Sequence, residues 1–86
     1  MSKSRAARIN RVAIGKVLKA AREAQGRGWT VLGVAVMVGI DQHTLDRIEK
    51  GETNPRFRTL RDVILTVGAD PRTAWAAACQ ERGPRS

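Results

Sequence analysis

An all-α bundle of five short helices is the architecture this sequence predicts, and three observations predict it. Apolar residues recur every three or four positions through most of the 86-residue chain. Glycines at 26, 28, 39, 51 and 68 punctuate those runs, as they do where helices end in a left-handed residue. The gaps between runs are only a few residues long, the usual connection between packed helices. A chain of this length holds one domain, and its thin core demands compact local packing.

The elements follow in order. Residues 1–8 carry little apolar surface and read as a basic N-terminal arm. They precede a domain over 9–81 and a C-terminal tail over 82–86. From Ile9 the pattern changes: Ile14, Leu18, Ala21 and Arg22 recur at helical spacing, with Lys16 and Lys19 between them. Gly26 and Gly28 stop that helix. Thr30 suits the N-cap of a second helix. Its body, Val31 to Val38, is Val-rich, and periodicity alone would also allow a short buried strand. The capping Thr before it and Gly39 after it favour a helix. Asp41 caps a third helix, with Leu45 and Ile48 inward and Gly51 as its stop. Thr53-Asn54-Pro55 is a loop. A fourth helix turns Phe57, Leu60, Ile64 and Val67 inward and ends at Gly68. Asp70-Pro71, a cap followed by proline at the first helical position, opens a fifth helix through Trp75 and Cys79.

Composition narrows the function. Sixteen Lys and Arg against eight Asp and Glu give a net charge of +8, which favours a polyanion: nucleic acid or an anionic membrane surface. The charge is uneven. Residues 1–30 sum to +7, residues 31–55 to −2 and residues 56–86 to +3. The flanks therefore supply attraction while the middle must act through individual side chains, a division like that between phosphate and base contacts. One Cys rules out a disulfide within the chain, and the single His lies far from it, so neither a metal site, a bound cofactor nor a Cys–His nucleophile is expected. No run nears the ~18 apolar residues of a membrane span. No apolar segment follows the basic N-terminus as a signal peptide requires, so a cytoplasmic location is expected. With no acid–base pair, nucleophile motif or phosphate loop, an enzyme is not expected.

Thr30 to Gly51 carries the chemistry. Two short helices joined by a turn at Gly39 must cross steeply, so a small residue is needed at the crossing, and Ala35 supplies it. Val34, Val38, Ile40, Leu45 and Ile48 form the inward set. Gln42, His43, Asp46 and Arg47 face outward at the start of the second of these helices. A helix used in this way presents its N-terminal residues to base edges in the major groove.

These residues resemble the Cro/C1-type (XRE-type) helix-turn-helix regulators. The resemblance runs from Ile14-Gly15 to Val67-Gly68-Ala69, and the string from Gly39 to Pro55 is its most specific part. It implies a five-helix fold of the lambda-repressor-like DNA-binding type. It also implies sequence-specific binding of double-stranded DNA, commonly as a two-fold dimer, and control of transcription. Three features depart from the family pattern. Val31 stands where a Gln usually follows the capping Thr. The loop Gln25-Gly26-Arg27-Gly28 is about two residues longer than usual. Leu32, Val36 and Met37 occupy positions that are usually polar or charged. Either the N-terminal extension covers these three or they form a partner surface, with cover or self-association favoured over a foreign protein.

The resemblance also assigns roles to residues. Gln42 is the leading base contact, its amide able to pair bidentately with adenine; Arg47 suits guanine or a phosphate, and His43 a base edge or a thymine methyl. Asp46 either orients Arg47 or accepts from cytosine N4. Thr30, Thr44, Lys50, Thr53, Asn54, Arg56 and Arg58 are candidates for the DNA backbone. From the N-terminal segment, Lys3, Arg5, Arg8 and Arg11 join them. Arg22 and Glu49 each lie four residues after a core leucine, at the edge of a buried face, and are expected to pair. Trp29, Phe57 and Trp75 are expected in the core, and Cys79 as a small hydrophobe of the last helix. A homodimer is expected through the last two helices, at Trp75 and Ala76 to Cys79. The leading expectation is a repressor reading an inverted repeat. The alternative is a protein-interaction module of antitoxin or restriction-modification controller type that also binds DNA.

Overall fold

The computed structural model describes residues 10–79, all of them helix, turn or loop. Five helices run in order: α1 (Arg11–Ala24), α2 (Val31–Val38), α3 (Gln42–Lys50), α4 (Phe57–Val67) and α5 (Pro71–Ala78). The Val-rich segment is a helix. Its flanks decided the matter: the Thr30 hydroxyl accepts from the Gly33 N–H at 3.0 Å, and Gly39 closes the far end at φ 88°. Asp41 caps α3 through the N–H groups of His43 and Thr44, and Asp70 caps α5 through that of Arg72, with Pro71 in the first helical turn. Each cap satisfies donors that a helix start leaves open.

The start of α1 is set by a residue the pattern did not mark, and its end by a glycine that the pattern did. α1 begins at Arg11 because Asn10 accepts from the Ala13 N–H at 3.0 Å. It ends at Ala24, before the left-handed Gly26, and the Gln25 side chain reaches across to donate to the Val67 carbonyl at 2.8 Å. The start of α1 is also tied to the end of α5, where the Asn10 N–H meets the Ala78 carbonyl at 2.6 Å.

The core draws on every helix. Ile14 and Leu18 of α1 meet Val34 and Ala35 of α2, Leu45 and Ile48 of α3, a four-residue set from α4 (Leu60, Val63, Ile64, Val67), and Ala74 and Ala78 of α5. Burying one such large aliphatic side chain is worth roughly 1.5–3 kcal/mol. Val38 and Ile40, expected inward, are half-buried against this cluster. Ala35 is fully buried at the α2 crossing, as its size requires.

Three expectations are corrected. Phe57 is not core: it is 66% exposed and stacks on half-buried Trp75, ring centroids 5.3 Å apart. It obeys the helical period, but it is the first residue of α4, where the helix has not yet entered the packed interior. Cys79 is exposed at the C-cap of α5, one residue beyond the helix it was expected to join. The two tryptophans, Trp29 and Trp75, are half-buried against the core rather than within it.

A glycine lets α1 lie close against α3 in this core. A Cβ on Gly15 would lie 2.5 Å from the Glu49 carbonyl oxygen and 2.6 Å from that of Ile48. Both are backbone atoms of α3, so the clash cannot be relieved by rotating a side chain. Alanine is the better helix former by about 1 kcal/mol, yet overpacking typically costs about 1–3 kcal/mol. Gly15→Ala is therefore expected to destabilise, seen as a lower urea midpoint with an unchanged slope.

Candidate nucleic-acid interface

The candidate interface starts with the rigidity of α3. Arg22 of α1 donates Nε–H to Glu49 Oε2 at 2.7 Å and Nη2–H to Oε1 at 2.9 Å, a planar two-pronged pair. Its remaining nitrogen, Nη1, donates to the Trp29 carbonyl at 2.8 Å, just before the α2 cap. One guanidinium therefore joins α1, α3 and the loop that starts α2. Both residues are buried, as their spacing from Leu18 and Leu45 predicts. The bond to Glu49 raises the Arg22 pKa above the ordinary arginine value, against the opposing effect of burial. The predicted ion pair is present; the Trp29 carbonyl as third acceptor is not visible in the pattern, because a backbone atom leaves no mark on residue type.

With its inner face fixed, α3 turns a polar stripe outward. Gln42, His43, Thr44, Arg47 and Lys50 are exposed, and Asp46 is half-buried. The stripe is reachable, and its short helix is capped at both ends by Asp41 and the left-handed Gly51. The Asp46 expectation is corrected in part. Its carboxylate does not orient Arg47; it accepts from Lys50 Nζ at 3.1 Å. Residues four apart on a helix are neighbours, whereas adjacent ones point about 100° apart. That hydrogen bond also raises the Lys50 pKa. Arg47 forms no ion pair among the described residues and remains open to an outside acceptor.

The backbone candidates are placed around this stripe. Thr30 is exposed, but its hydroxyl is already engaged in capping α2. The Thr44 N–H is held by Asp41, while its side chain is exposed. In the loop after α3, Thr53 is half-buried and Asn54 exposed. Arg56 occupies the N-cap of α4 without a side-chain cap hydrogen bond, so the first-turn N–H groups lack that partner; Arg58 is exposed in the same turn. Such a helix start favours an oxyanion. Arg11 is exposed at the start of α1. Lys3, Arg5 and Arg8 lie outside the described residues. Leu32, Val36 and Met37 are 53%, 70% and 56% exposed, so no described residue covers them. No group of three or more His, Cys, Asp or Glu suited to a metal occurs among the described residues. No described helix is long and apolar enough to cross a membrane.

Comparison with known proteins follows from this geometry. A family model described as a helix-turn-helix domain matches residues 13–76. Among solved structures, the fold is similar to the restriction-modification controller protein C.AhdI from Aeromonas hydrophila. The TM-score is 0.64 at 22% sequence identity, over 73% of this chain and 92% of that one. Comparison with curated proteins gave no match.

Truncating either partner of the buried pair strands a charge. Arg22→Ala and Glu49→Ala are each expected to cost about 3 kcal/mol by chemical denaturation. The double variant should cost less than the two singles added, because it removes both charges together.

Proposed function

Because this chain belongs to the helix-turn-helix domain family, we propose that it is a sequence-specific double-stranded DNA-binding regulator of transcription. We take it to be a repressor that reads an inverted-repeat operator through α3, acting inside the cell and without catalysis. The observation that carries this reading is the exposed stripe of α3 on a helix whose opposite face is locked by the Arg22–Glu49 pair. Base readout needs side chains that are free at their tips and fixed at their base, because hydrogen bonds to base edges are geometrically demanding. Gln42 and Arg47 meet that requirement as the primary base readers, with His43 beside them. Lys50, Asn54, Arg56 and Arg58 serve the phosphates, together with Thr44, Thr53 and the N-terminal Arg5 and Arg8. Thr30 acts there through the cap that aims α2.

The dimer contact is assigned to the last two helices. Phe57 and Leu65 of α4 are 66% and 63% exposed, and Trp75 of α5 stacks on Phe57. Large exposed apolar side chains are what an interface between copies would bury. A two-fold dimer sets half-sites about 34 Å apart on one face of the duplex. Restriction-modification control, the role in the printed name of C.AhdI, is one setting for such a regulator. A second reading, a protein-interaction module that also binds DNA, is favoured by the exposure of Leu32, Val36 and Met37 on α2.

Selection of bound duplexes from a random library near physiological salt should enrich an inverted repeat, and Gln42→Ala should relax one position in each half. Recovery of a stoichiometric protein partner with no enriched sequence would favour the second reading. Leu65→Lys is expected to shift the sedimentation mass towards the monomer and to weaken operator binding while leaving the circular dichroism spectrum unchanged.

A further inference from the structure

Lys16 and Lys19 of α1 face Asp46 and Lys50 of α3 across a groove of about 340 Å³, with Val31 on its wall. Arg22 and Glu49 also border this groove and neutralise each other, and Lys50 is matched by Asp46. Lys16 and Lys19 are exposed and take part in no ion pair among the described residues. The groove therefore holds two uncompensated positive charges on one face of α1, three residues apart. Like charges at that spacing slightly destabilise a helix, and an anion seated between them would reverse the sign of that effect.

We propose that this groove seats a backbone phosphate of bound DNA, with Lys16 and Lys19 as its cationic wall and Lys50 shared between the phosphate and Asp46. The inference rests on the DNA-binding reading above and extends it to α1, which that reading leaves as scaffold. Asp46 and Lys50 lie on the outward stripe of α3 and on the groove, so a duplex on the stripe presents its backbone to the groove. Val31 has no side-chain hydrogen-bond donor to offer there, and the lysines beside it are long, mobile point charges that reach a phosphate without fixed geometry. Asp46 acts as a built-in counter-charge. It holds Lys50 in the free protein and lowers the attraction of the groove for duplexes of any sequence.

The test is the salt dependence of binding to the selected duplex and to a scrambled one. The Lys16→Gln/Lys19→Gln double variant should reduce the slope of log Kobs against log salt by about 0.9 in magnitude, the value for the one phosphate seated, and each single variant should reduce it by less. Each should weaken both duplexes by the same factor. Arg72→Gln, an equal loss of charge on α5, should leave the slope unchanged. Asp46→Asn should tighten both duplexes and steepen the slope. An unchanged slope in the Lys16→Gln/Lys19→Gln double variant, with sequence preference retained, would overturn the groove and leave the DNA-binding reading intact. No sequence preference in the unaltered protein would overturn that reading itself. A loss of affinity in Asp46→Asn confined to the selected duplex would assign Asp46 to a base edge and overturn its counter-charge role. Inorganic phosphate provides the remaining arm. Saturable shifts of the Lys16 and Lys19 amide resonances at low millimolar phosphate, with unchanged DNA slopes, would assign the groove to a soluble anion instead and overturn the proposal.

Discussion

The Arg22 guanidinium uses all three of its nitrogens. Two grip the Glu49 carboxylate at 2.7 and 2.9 Å, and the third meets the Trp29 carbonyl at 2.8 Å. The remaining architecture depends on this junction because one buried side chain ties α1, α3 and the approach to α2 together through hydrogen bonds. A buried ion pair is costly to desolvate and is not by itself a source of stability. Its value here is positional: planar, two-pronged recognition fixes the angle at which α3 leaves the core. No buried side-chain polar atom among the described residues lacks a partner, so this dense polar junction is fully satisfied.

Around that junction the fold divides its labour between backbone and side chain. Gly15 removes the Cβ that would hold α1 away from α3. Close approach of the two backbones lets the Arg22 fork reach Glu49 without stretching. The caps at Thr30, Asp41 and Gly39 then set where α2 and α3 begin and turn. Each of these short helices would be marginal alone, since helix nucleation is costly. Packing around Val34, Ala35, Leu45 and Ile48 holds them in place.

The electrostatics are graded in a way net charge does not reveal. The chain carries +8 overall, yet the segment from 31 to 55 is net negative. Asp46 matches Lys50 on the exposed stripe of α3, so that stripe is polar rather than uniformly cationic. The uncompensated positive charge then lies on α1, at the start of α4 and in the chain ends rather than on α3. A protein whose reading helix were itself strongly basic would bind duplexes of every sequence through phosphate contacts alone.

The sequence by itself determined the five helices, their order and most of their ends. Caps and left-handed glycines act within three or four residues, so Thr30, Gly39, Asp41, Gly51, Gly68 and Asp70-Pro71 are legible without a partner in view. It also marked the outward residues of α3 and the Arg22–Glu49 pair, because helical periodicity states which side of a helix each residue occupies. Tertiary structure alone decided what periodicity cannot express. It left Phe57 outside the core, since a helix end projects beyond its neighbours. It matched Asp46 with Lys50 rather than Arg47 and gave Gly15 its role in close approach. It added the Trp29 carbonyl to the Arg22 junction and brought Lys16 and Lys19 beside Lys50. Each of these depends on the distance between segments far apart in the chain or on a side-chain rotamer, and neither is fixed until the helices pack.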